Sequence, residues 1–139
     1  MILSEAVRTA YFQALNGVIS ASVFDAFALP ERTPYPYVLL STQLGSQREV
    51  TDGKVYDCSM LIDIVTGSTD PIGREQAEAI AAEIDDIINP DDGSDLDLTP
   101  YGYSMGDTNM EQSFDDSQRN GIFYIYRKLV RYSHIAYKI

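Results

Sequence analysis

The chain has 139 residues, 45% of them hydrophobic, a single cysteine and a formal charge of -11. That length predicts a single domain over residues 1–139 with a buried core. A lone cysteine excludes an intrachain disulfide framework, no apolar run is long enough to span a bilayer, and so negative a chain is a poor match for a phosphate backbone, whose binding needs Lys or Arg at the contacts.

In chain order, Val7, Ala10, Tyr11, Ala14 and Leu15 fall at helical spacing, with Ser4 as the expected N-cap and Gly17 as the stop. A short strand is expected around Val23 to Phe27, and the three prolines of LPERTPYP then interrupt regular structure. PYVLLSTQ reads as a strand covered on both faces at its centre. GSQREVTDGK reads as a polar connection, with Asp52-Gly53 as a turn pair. From Lys54 to Thr66 the chain alternates. Tyr56, Cys58, Met60, Ile62 and Ile64 form the core face, and Asp57, Ser59, Leu61, Asp63 and Val65 form a mixed outer face.

GSTDPIGRE turns the chain into a second helix, with Asp70 as expected N-cap and Pro71 as first helical residue. Ala77, Ile80, Ala81, Ile84, Ile87 and Ile88 make its apolar stripe, the acids Glu78, Glu83, Asp85 and Asp86 lie largely away from it, and Asn89-Pro90 ends it. DDGSDLD is a loop. A long antiparallel hairpin follows, with one arm inside Tyr101 to Phe114, a turn at DDSQRNG and a second arm from Ile122 to Ile139. This last arm is expected to project in part or to pair with another chain. The order predicts an α+β fold, a mainly antiparallel sheet with an N-terminal and a central amphipathic helix on one face, plus a long C-terminal hairpin.

The residues carry no catalytic signature. Gly67 to Arg74 misses the spacing of a phosphate-binding loop, and Asp91, Asp92, Asp95 and Asp97 do not match a calcium loop. His134 is the only histidine, so no histidine metal site forms within one subunit. Cys58 reads as a small buried residue, and a Cys58–His134 dyad has no local support. No catalytic residue, metal or cofactor is expected. The N-terminus lacks a signal-peptide pattern, which fits folding in a reducing cytoplasm.

Charge is segregated. Residues 75–118 hold thirteen acids and no Lys or Arg, whereas residues 119–139 hold five bases and no acid. The basic terminal arm also carries tyrosines at strand period, which places Arg127, Arg131 and Tyr132 on a candidate subunit interface. Asp63 on the outer strand face and Asp85 and Asp86 on the helix are the acidic candidates on a neighbouring copy.

AYFQALNG, PYVLLSTQ and, above all, YDCSMLIDIVTG followed by DPIGREQAEAIAAEIDDIINP resemble the tail completion or tail terminator proteins of long-tailed phages. The resemblance covers nearly the whole chain in element order. It implies a structural virion protein that forms a ring, commonly hexameric, which ends the tail tube and joins the tail to the head-side, portal-proximal connector. DNA would pass through the lumen without specific binding, and assembly would take place in the host cytoplasm with no membrane. The long acidic loop and the long terminal arm depart from that pattern, which leaves another neck or connector ring protein as an alternative. Two further readings are a small acidic binding or nucleic-acid-mimicking module and a small hydrolase using Cys58 or the carboxylates.

Overall fold

A computed structural model describes residues 1–48, 53–94 and 96–139. The elements run α1 (Leu3–Leu15), β1 (Ser22–Asp25), β2 (Tyr37–Arg48), β3 (Val55–Ser68), α2 (Gly73–Ile88), β4 (Tyr103–Asn120) and β5 (Phe123–Lys138). The strands form one sheet in the order β1-β2-β3-β5-β4. Every pair is antiparallel except β1 with β2. The expected α+β architecture is what the chain adopts.

Residues opposite one another on neighbouring strands share a face, so the register sorts the side chains. Met60 faces Tyr132, Ile62 faces Val130, and Cys58 faces His134. All six are buried beneath the helices, together with Val38 and Leu40 of β2. Helix α2 contributes Ala77, Ile80, Ile84 and Ile88 from one stripe, and α1 contributes Ala6, Val7, Ala10, Tyr11 and Leu15. Each isoleucine taken from water in this layer stabilises the fold by about 1.5–3 kcal/mol. Glu83 accepts two hydrogen bonds from Ser20, from its amide at 2.8 Å and its hydroxyl at 2.6 Å, which ties the loop after α1 to α2.

Several boundaries differ from expectation. Ser4 lies inside α1, whose cap position is Ile2, and α2 starts at Gly73 without a side-chain cap, beyond Asp70 and Pro71. Strand β2 continues through GSQR to Arg48, because β3 is long enough to pair with it past a bulge between Leu40 and Gln43. Asp52 lies outside the described residues. The segment DDSQRN is strand up to Asn120, which pairs with Phe123, so the turn is Gly121–Ile122. Its polar composition belongs to an exposed edge strand. The arm expected to project does not: β5 is paired with β3 on one side and β4 on the other along nearly all of its length. Among the described residues the open margins of the sheet are β4 on one side and, on the other, β1 with the Ser41–Arg48 part of β2 beyond its reach.

Candidate functional site

The six residues singled out for a subunit interface do not form one patch. Asp63, Arg127 and Arg131 point to the sheet face opposite the helices, as their register with Leu129, Val65 and Leu61 requires. Asp63 is only 3% exposed and is held by Arg127, whose Nε donates to Oδ1 at 3.2 Å and whose second terminal nitrogen reaches Oδ2. The carboxylate raises the pKa of the guanidinium. Arg131 donates to the Ser59 hydroxyl at 3.0 Å. Tyr132 lies on the other face. It is 1% exposed, and its hydroxyl donates to Asp85 at 2.8 Å, which joins β5 to α2. Burial, then Asp85, drives the phenol pKa up. Asp86 points outward. Four of the six therefore make their principal contacts within the subunit, and Asp86 and Arg131 keep the greater freedom to meet a neighbour.

Cys58 and His134 are directly opposite on one face, so the topology brings them together. Their chemistry is not that of a nucleophile and its base. The Cys58 thiol donates to the backbone oxygen of His134 at 3.7 Å, and burial followed by Asp57 pushes its pKa to about 11. The imidazole is engaged elsewhere. Nδ1 is 2.9 Å from the Thr108 hydroxyl, and Nε2 contacts the Tyr11 hydroxyl. His134 thus links α1, β4 and β5 through a buried polar chain, with Tyr11 edge-on to its ring. Burial lowers its pKa to about 4, so it is neutral at pH 7.

In the acidic loop, Asp97 accepts from the amide and hydroxyl of Thr99, while Asp91 and Asp92 are exposed. Among the described residues no cluster of His, Cys, Asp and Glu is arranged to hold a metal. Among the described residues no helix is long and apolar enough to cross a membrane.

Sequence reasoning passed over Arg74 and Arg119, which the fold brings to one cleft at the start of α2. Nothing local marks them as neighbours. Their proximity depends on the β4–β5 register at Arg119–Tyr124, within a segment whose composition reads as turn.

No family model matches the sequence, and no curated protein matches it. Among solved structures, a chain of the "Virion of native gene transfer agent (GTA) particle" is similar, with a TM-score of 0.68 and 18% identity over 95% of this chain and 96% of that one. At that identity the likeness establishes a shared fold from end to end.

Proposed function

We propose that residues 1–139 act as a single-domain structural protein of a phage-like virion. It assembles as a ring, with six copies as the favoured order, at the head–tail interface or tail end. There it terminates the tail tube and joins it to the head-side connector. The observation that carries the reading is the end-to-end fold correspondence with a chain of a gene transfer agent virion. The resemblance of the β3–α2 unit to tail terminators supports that position.

The fold is compatible with this role. A ring subunit meets its two neighbours through different surfaces, and the sheet has two unlike margins among the described residues, β4 on one side and β1 with the far half of β2 on the other. The exposed side of α2 carries Glu75, Glu78 and Asp86, so a lumen near it would repel passing DNA and leave it unbound. In this reading the subunit is made in the host cytoplasm and resides in the virion. Light scattering on the purified protein, with negative-stain microscopy alone and with tail-tube and connector proteins, tests it. Closed rings in either condition support the assignment. A monomer that persists with every virion partner overturns it.

A further inference from the structure

At the N-terminal end of α2 lies a cleft of about 380 Å³, lined by Gly73, Arg74, Arg119, Tyr124 and Tyr126 among others. The Arg74 guanidinium lies over the Tyr126 ring at 5.6 Å, and that of Arg119 lies over Tyr124 at 5.0 Å. Among the described residues neither arginine has a carboxylate within ion-pair distance. Asp115, the acid beside the cleft, is drawn to Lys128 at 3.1 Å. The helix opens here without a side-chain cap, which leaves the positive end of its dipole beside the cleft. The cleft wall also contains a buried polar group without a partner. Tyr126 is 8% exposed, and its hydroxyl makes no hydrogen bond. Burial and then Asp115 raise the phenol pKa while Arg74 lowers it, so both side chains reach towards the hydroxyl without completing a hydrogen bond to it. Arg119 spends its Nε–H on the Gly121 carbonyl at 3.2 Å; its terminal nitrogens, the Arg74 guanidinium, a helix start without a side-chain cap and the Tyr126 hydroxyl are all donors, which suits an oxyanion acceptor.

The chain carries a matching group at the other end of the same helix. Asp91 and Asp92 are exposed just beyond Ile88. A helix of 16 residues separates the two ends by ~24 Å, so one subunit cannot satisfy itself. We propose that the cleft binds the acidic loop 91–97 of a second copy, with Asp91 and Asp92 received by Arg74 and Arg119. As Arg74 turns onto the incoming carboxylate it uncovers the Tyr126 hydroxyl, which becomes a further donor. Complementary patches on opposite ends of one element make a head-to-tail contact, the kind that closes into rings. The identity of the second copy rests on the ring reading above; the acidic-ligand chemistry of the cleft does not.

The test titrates the whole protein with the capped peptide PDDGSDLDL, residues 90–98, while the Arg Nε–H and backbone resonances are followed by NMR. Saturable shifts at Arg74, Arg119 and Tyr126 are expected. Affinity should fall about tenfold on Arg119→Ala, the loss of one charge-assisted contact, and should also fall on Tyr126→Phe, which removes only the hydroxyl. Absence of shifts, or equal binding by an R74A/R119A variant that remains folded, overturns the proposal. So does saturation by inorganic phosphate without binding of the peptide. In assembly, R74E/R119E and D91K/D92K should each lose the oligomer, and the variant combining all four reversals should regain it; no recovery counts against the contact. If the wild type never oligomerises, the ring reading fails, and the peptide titration still decides the cleft.

Discussion

Acidification should unfold this protein earlier than its surface charges imply, through one residue. His134 is 2% exposed, wedged between Tyr11 and Thr108, and its pKa falls to about 4 from an ordinary 6.5. The folded pKa lies below the unfolded one, so the unfolded chain takes up the proton first. The neutral imidazole's contribution is complete above pH 6.5, declines as pH falls towards 4, and is gone below that. Over the full window the loss is about 3 kcal/mol, at 1.36 kcal/mol per unit of pKa, and about 2 kcal/mol of it has occurred by pH 5. Urea denaturation between pH 7.5 and 5 suits the measurement, because the isoelectric point near 4.2 invites precipitation further down. Carboxylates also titrate there, so the informative quantity is the difference in pH slope between wild type and His134→Gln. The variant, uncharged throughout, should lose about 2 kcal/mol less than wild type between pH 7.5 and 5. Parallel slopes would refute the argument and show that the imidazole stays neutral, or reaches water, at no cost.

Other consequences are equally direct. Arg127→Glu should destabilise the subunit itself, by about 3 kcal/mol in urea unfolding, because it sets a second carboxylate against buried Asp63. An unchanged midpoint would mean that Asp63 does not need its partner. Reversal at Arg127 is therefore a poor probe of assembly, whereas Arg131, bonded only to Ser59, is a better one. Gly73→Ala would bring a methyl carbon within 2.6 Å of the Thr66 hydroxyl oxygen and 3.2 Å of Tyr126 Cβ. It should cost about 1–3 kcal/mol as an overpacked contact, visible as a lowered melting temperature. Cys58, buried and with a pKa near 11, should resist iodoacetamide at pH 8 in the native protein and react once urea exceeds the unfolding midpoint; rapid native alkylation would contradict the burial.

Period and composition reveal most of the scaffold. The alternation of Tyr56, Cys58, Met60, Ile62 and Ile64 and the stripe of Ala77, Ile80, Ile84 and Ile88 have one physical cause each, a buried face at period two and at 3.6. Their elements are accordingly found where the pattern places them. Edges are less legible. GSQR and DDSQRN have the polar composition of turns yet are strands, because a sheet margin open to water does not require apolar alternation. Pairings across long separations are least legible. Asp63 reads as a solvent-facing acid until Arg127 lies over it, and Arg131 and Asp86 are separated by the thickness of the sheet. The cleft at Arg74 and Arg119 arises from strand register together with the docking of α2, and the Tyr11–His134–Thr108 chain from register together with the docking of α1.

The placement of β5 has a consequence for manufacture. It is the last of the five strands to be synthesised, yet it lies between β3 and β4 and supplies Tyr124, Tyr126 and His134. Until it emerges, β3 has a bare margin and β4 has no strand partner, so the β3–β5 pairing, distant in sequence, can form only late in synthesis. A partly made copy has neither the cleft wall nor the strand that joins its two halves. On the proposed reading of the cleft such a copy would be unable to dock with a complete one, so synthesis order would itself screen out unfinished subunits.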